Sequence, residues 1–271
     1  VASDITIIVG GAFVYYSYLL LCRSDQKEYE TEMAAEDFLF LRNDEEPDVD
    51  LYIISPKGER ILCRALDRIK NGLSLNGIEN TVRPNSNAYT FGPITDDVSG
   101  IQSHKIDWES LPSSFFNSSV IPIQASNGCP YDCAFCNFTK DKRVTFVKPL
   151  NQLIDELGKV QRKGIKYVWF VDDNFRLGRN DLNTVCRRFI DEGFQFKWMC
   201  FIRASTLRNT DLELLRRAGC IEVQIGLESG DPNILSNMNK KSDPAMYQEV
   251  IGNVLNHGIN VSCYFITGFP G

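Results

Sequence analysis

Three cysteines stand within eight residues in the stretch NGCPYDCAFCNF: Cys129, Cys133 and Cys136, spaced by three residues and then by two. Thiolates at this density bind a soft metal ion or an iron–sulfur cluster. A structural zinc site wants four ligands, usually as two separated pairs, and here there is one triplet. The chain has two histidines, His104 in a polar stretch and His257 at the end of a helical pattern far downstream, so a Cys3His zinc site finds little support. Three cysteines in one loop suit three irons of a cubane cluster and leave the fourth iron open to another ligand. A non-catalytic zinc or cluster-binding module is the rival reading, and metal analysis separates the two.

The remaining six of the nine cysteines, Cys22, Cys63, Cys186, Cys200, Cys220 and Cys263, are scattered among apolar residues. They are expected to be buried thiols, since free cysteine behaves as a small hydrophobe. An odd number in a chain of 271 residues is not the framework of a small secreted domain, and a reducing cytoplasm is the expected compartment.

The elements that must carry the cysteine loop repeat. Four segments, RKGIKYVWFVDD, DEGFQFKWMCFIRA, RAGCIEVQIGLES and NHGINVSCYFITG, each run from a helix end through Gly164, Gly193, Gly219 or Gly258 into an apolar strand. Glycine suits the left-handed residue just past a helix. Leu150, Leu153, Ile154, Leu157 and Val160 form one stripe behind Pro149. Thr210 with Glu213 reads as a capping box, and Ser242 or Asp243 with Pro244 as another helix start. The strands are continuous apolar runs, as parallel strands buried on both faces are. With SVIPIQAS before the cysteines they make five strands of a βα repeat, an open sheet or a barrel, whose chemistry gathers at the strand carboxyl ends. There lie the cysteine loop, Asp172, Asp173 and Asn174, Arg203, Glu228 and Ser229, and the GFPG stretch from Gly268.

The first residues differ. SDITIIVGGAF reads as a strand entering a Gly10–Gly11 turn, and DVDLYIIS as a second strand followed by a helix in GERILCRALDRIKNG. Residues 80–118, rich in Gly, Pro, Ser and Asn, read as a connector. The expected organisation is an α/β domain over residues 1–79, a linker over 80–118 and a βα repeat over 119–271. The net charge of -6 provides no basic footprint for nucleic acid. The apolar run at residues 12–22 is too short to span a bilayer and follows Asp4 rather than a basic segment, so neither nucleic acid nor membrane is expected as a partner. Beginning at Val1 and stopping in GFPG, the chain is expected to be a piece of a longer protein.

The Cys-x3-Cys-x2-Cys spacing at the end of the first strand of a βα repeat resembles the radical S-adenosylmethionine (radical SAM) enzymes. The resemblance covers residues 119–271 and extends to DDNF, IRA, GLESG, MNK and GFPG. It implies a [4Fe-4S] cluster on Cys129, Cys133 and Cys136. The open iron would bind S-adenosylmethionine, which is cleaved reductively to methionine and a deoxyadenosyl radical. It further implies that Phe135 lies beside adenine, that Asp172, Asp173 and Asn174 stand near the methionine amine, and that Arg203 pairs with its carboxylate. Glu228 and Ser229 would hold the ribose or amine, and Gly268 would let backbone approach adenine. A reductant such as flavodoxin or ferredoxin and a small-molecule or peptide substrate follow as partners. The fold implied is a partial (βα) barrel, five strands of six.

The amino-terminal segment is similar to the Rossmann-like cobalamin-binding domain that precedes many such cores, in which paired glycines like Gly10 and Gly11 pass close to the cobalamin nucleotide tail. Two departures stand out: the acidic GEGE stretch appears as PKGE, with Pro56 and Lys57, and the Asp-x-His-x-x-Gly cobalt-ligand motif is absent from the sequence given. The resemblance implies cobalamin-dependent methyl transfer or related radical chemistry. A cobalamin-independent radical SAM oxidoreductase or methylthiotransferase is the alternative.

Overall fold

β1 (Ile8–Val9) leads through Gly10 and Gly11 into α1 (Ala12–Asp25). The computed structural model describes residues 5–25, 39–41, 48–55, 58–85, 88–95, 106–136, 146–176 and 181–270. Pro56, Lys57, His104 and Gly271 lie outside them. The chain divides into two units, Val1–His104 and Lys105–Gly271.

In the first unit β2 (Leu51–Ile53) pairs parallel with β1 and is followed by α2 (Glu59–Lys70). β3 (Thr81–Asn85) and β4 (Ala88–Phe91) complete a sheet ordered β1-β2-β3-β4, its last two pairings antiparallel. β2 is buried on both faces. Leu51 and Ile53 pack with Ile61, Ala65 and Ile78, while Tyr52 and Ile54 pack with Val14, Phe40 and Val82. Residues 12–22, the apolar run, are the body of α1, and no helix among the described residues is long and apolar enough to cross a membrane.

The connector reading of residues 80–118 needs correction at both ends. Residues 81–91 form the β3–β4 hairpin of the first unit. Gly92 is required just after it, because a side chain there would strike the carbonyl of Ile78. Trp108, 1% exposed, packs in the core of the second unit and donates from Nε1 to Glu156 Oε1 at 3.1 Å. Turn-forming composition masked a four-residue pairing and a single anchoring indole.

The second unit begins with β5 (Val120–Ile123), then β6 (Ser126–Asn127), which pairs antiparallel with β7 (Phe146–Val147). α3 (Leu150–Arg162), β8 (Tyr167–Phe170), α4 (Leu182–Asp191), β9 (Lys197–Phe201), α5 (Ala204–Leu207) and α6 (Leu212–Arg217) follow. β10 (Cys220–Glu228), α7 (Pro232–Asn237), α8 (Pro244–Asn256) and β11 (Asn260–Phe265) end it. Its main sheet is ordered β11-β10-β9-β8-β5 and parallel throughout. Gly164, Gly193, Gly219 and Gly258 all take positive φ, the left-handed step that ends each helix. The cap of α6 is Asp211, whose carboxylate accepts from Leu214 N at 2.9 Å, one residue after the expected Thr210. Asp243 caps α8.

Among the described residues, one face of the sheet is buried under helices. Ile121, Ile123, Val168, Phe170, Trp198, Cys200, Val223 and Ile225 pack there. The other face carries Trp169, Met199, Phe201 and Glu222, all partly exposed, so the apolar strands are not buried on both faces as expected. Cys186, Cys200 and Cys220 are buried, and burial pushes their thiols up. Cys22 is half-buried, whereas Cys63 and Cys263 are exposed. Cys63 lies two residues from both Ile61 and Ala65, the buried positions of α2, and Cys263 sits on the edge strand.

Candidate functional site

Five strand ends are joined by a chain of contacts. Ser126 and Gly128 follow β5, and Asp172 and Asp173 follow β8. Asp172, 1% exposed, accepts from Ala125 N at 3.2 Å, from Ser126 Oγ at 2.6 Å and from Ser126 N. Asp173 Oδ2 accepts from Gly128 N at 2.8 Å, immediately before Cys129. Asn174 Oδ1 accepts from Arg203 N at 3.2 Å, at the end of β9. One tripeptide thus ties the cysteine loop to two strand ends. Burial, working against these hydrogen bonds, pushes the Asp172 carboxyl up to about 6. A carboxylate this enclosed supports a positioning role rather than contact with a cofactor.

Arg203 reaches the cysteines themselves. Its guanidinium lies over the Tyr131 ring, 3.8 Å from the centroid. Nη1 donates to Cys133 Sγ at 3.6 Å, and Nη2 donates to the Lys240 carbonyl. Burial pushes the Cys129 thiol up; a backbone hydrogen bond at Tyr131 and the charge of Arg203 pull it down, and Cys133 and Cys136 push it up again. The three thiols are therefore within electrostatic reach of one another. Cys136 N donates to Cys133 O at 3.0 Å, closing a turn that carries two of them.

The turn after α7 clasps this loop. Ala134 N donates to Met238 O at 2.9 Å, Asn239 Nδ2 to Asp132 O at 3.0 Å, and Lys241 Nζ lies 3.5 Å from Asp132 Oδ1. Lys240, 7% exposed, pairs with Glu228 Oε1 at 2.6 Å, and its Nζ stands 5.6 Å from the Phe135 ring centroid. Glu228, 9% exposed, holds φ at +66°, a strained value for a residue with a side chain. Its carboxylate folds over Gly226, where a Cβ would collide with Oε1. Ile266 N donates to Glu228 O at 2.9 Å, joining the end of β11. Ser229 Oγ accepts from Asp231 N at 3.0 Å. Gly268 has φ +80° and open space where a side chain would stand.

Cys129, Cys133, Cys136, Phe135, Asp173, Arg203 and Glu228 are thereby brought to one end of the sheet. Lys240, Tyr131 and the Asn239 turn were not singled out as site residues from the sequence. The MNK stretch was the available signal, but nothing in a lysine pair after a short helix says which one is buried. The donor set fits a cluster: three soft thiols on one loop beside a cation. Among the described residues no three His, Cys, Asp or Glu side chains close around a point as one metal ion requires. A cubane spreads its ligands wider than a single ion does. A cavity of about 410 Å3 lined by Trp108, Asp155, Arg162 and Glu192 contains none of these residues.

In the first unit, Gly10 and Gly11 are not equivalent. A Cβ on Gly10 would press on Ile53 Cβ at 3.4 Å, so that glycine serves packing. Gly11, at φ +103°, has nothing within 4 Å on its open side, which leaves room for a bulky group to approach the backbone.

Residues 123–271 match the model of the Radical SAM superfamily. An uncharacterized methyltransferase of Pyrococcus horikoshii is 26% identical over 227 residues, covering 80% of this chain and 49% of the relative. The bacteriochlorophyllide d C-12(1)-methyltransferase of Chlorobaculum tepidum is 34% identical over 158 residues, covering 56% and 34%. The chain thus spans between a third and a half of these curated relatives. The structure of TsrM, a radical SAM methyltransferase from Kitasatospora setae with cobalamin and a [4Fe-4S] cluster bound, superposes with a TM-score of 0.66 at 17% identity, over 99% of this chain and 52% of that one.

Proposed function

The chain belongs to the radical SAM superfamily, and on that premise we propose that it is the cofactor-holding part of a cobalamin-dependent methyltransferase. The observation that carries the reading is the arrangement of Cys129, Cys133 and Cys136 on one strand-end loop, with the Arg203 guanidinium at Cys133 Sγ. When bound there, a [4Fe-4S] cluster and S-adenosylmethionine supply the one-electron chemistry that starts a radical reaction.

The residues of the chain do the holding. The three cysteines are the cluster ligands. Arg203, a rigid fork fixed on Tyr131, is suited to a carboxylate. Glu228 and Ser229 offer acceptors for an amine or ribose, with Lys240 holding the Glu228 carboxylate in place. Phe135 presents a ring, and Gly268 an open backbone, for adenine. Asp172, Asp173 and Asn174 act one step back by fixing the loop and Arg203. The five parallel strands are read as part of a six-stranded partial barrel, and the first unit as part of a Rossmann-like cobalamin domain with Gly11 facing the cofactor. A flavodoxin- or ferredoxin-like protein is the proposed reductant.

The test is anaerobic reconstitution of the full-length protein with iron and sulfide. About four irons and four sulfides per chain are expected, with 5′-deoxyadenosine and methionine formed from S-adenosylmethionine under reduction. Cys129→Ala, Cys133→Ala and Cys136→Ala should each lose the cluster. Stoichiometric zinc without iron uptake would falsify the reading.

A further inference from the structure

We propose that the sheet face turned away from the helices is a substrate floor selecting a planar, uncharged or cationic ring compound that carries an N–H or O–H donor. The inference rests on the reading above and names the substrate class of that site.

Strand alternation separates two faces. Register puts Trp169 beside Met199 and Met199 beside Glu222, while Gln224 lies between Phe201 and Ser262. The aromatic rings adjoin: Trp169 and Phe201 centroids are 6.5 Å apart, Phe201 and Tyr264 5.5 Å. Gly226 continues the same face from Gln224, and the Glu228 carboxylate overhangs it. The floor therefore runs directly into the strand-end site.

Among the described residues, two buried polar atoms on this floor have no hydrogen-bond partner, Trp169 Nε1 and Gln224 Oε1. The Gln224 amide is oriented, since Nε2 donates to Glu222 Oε1 at 3.2 Å and a carboxylate only accepts. Ser262 Oγ donates to the same Glu222 oxygen at 2.8 Å. The free end of Gln224 is thus an acceptor, and that of Trp169 a donor. A buried polar group left unpaired is destabilising, and a ligand with matching groups relieves it. The two residues are separated by one strand and offset by two residues along it, a backbone span of roughly 12 Å with Phe201 between. Among the described residues no lysine or arginine pairs with Glu222, so the floor disfavours an anion.

Indole and indene share a shape and differ in the N–H. Calorimetric titration of the reconstituted full-length protein should give indole at least about tenfold tighter binding than indene, with indole-5-carboxylate weaker than indole. Gln224→Met should erase the indole preference. Trp169→Phe should likewise erase a preference for quinoline, which has a ring acceptor, over naphthalene, and it serves if the Gln224 variant fails to fold. Equal binding of indole and indene, no binding of either, or a preference surviving in Gln224→Met overturns the proposal. Iron content and S-adenosylmethionine cleavage are read on the same preparations. If both are intact while the probes are not distinguished, the substrate floor alone falls; if both are lost, the reading beneath it falls.

Discussion

Asp172 accepts hydrogen bonds from Ala125 and Ser126 and lies near the buried Cys200 thiol, yet burial wins and holds its carboxyl at about 6 against an ordinary 3.8. The folded chain keeps this proton over a range in which the unfolded chain has lost it. The contribution to stability is therefore full below about pH 4, is lost as the pH rises from 4 to 6, and stays lost above. At 1.4 kcal/mol for each tenfold it amounts to about 3 kcal/mol. Asp172→Asn should flatten this fall, as thermal unfolding midpoints at steps from pH 4 to pH 7 will register; an equal slope in the variant counts against it. The residue scale is also where sequence reading stops short. The cysteines and Arg203 were visible because their types and strand-end positions are unusual. Lys240 was not, because its importance comes from Glu228, twelve residues earlier, folding back to meet it.

Among the elements, α3 carries a buried anion whose cation stands just before the helix start, a pair that no periodicity announces. Lys148 and Glu156 are 6% and 7% exposed and pair with each other, and Glu156 also receives the Trp108 indole. Glu156→Leu leaves an ammonium and an N–H without partners, and should cost about 3–5 kcal/mol. Lys148→Met with Glu156→Leu should restore much of that loss. Denaturant unfolding of the two variants measures it; a single variant within 1 kcal/mol of the parent, roughly surface behaviour, rules the account out. Five strands, their parallel direction and their helix-ending glycines were legible, since Gly164, Gly193, Gly219 and Gly258 each sit between an amphipathic stripe and an apolar run. The β3–β4 hairpin was not, because Thr81–Asn85 contains Pro84 and is only five residues long. The sheet's open face was missed because an apolar run looks the same whether one face or both are covered.

For the whole molecule, the first unit decides between the cobalamin reading and its cobalamin-independent rival. Full-length protein should take up hydroxocobalamin, and Gly11→Val should weaken uptake at least tenfold, on the order of 1.4 kcal/mol. Any side chain at φ +103° is strained by roughly 1–2 kcal/mol, so Gly72→Val, at φ +64° and equally open, is the control that carries strain without blocking the turn. Spectrophotometric titration of both variants separates the effects. A full-length protein that takes up no hydroxocobalamin leaves the cobalamin-independent enzyme standing. The tripeptide Asp172, Asp173, Asn174 has a consequence for when entropy is spent. Its three tethers, to Ser126, Gly128 and Arg203, fix the root of the cysteine loop and the arginine backbone as soon as β8 is seated in the sheet. The conformational freedom of these segments, about 1–2 kcal/mol for each backbone residue ordered, is surrendered at folding. A cofactor arriving later meets a loop already rooted, and less of its binding energy is diverted into ordering the chain.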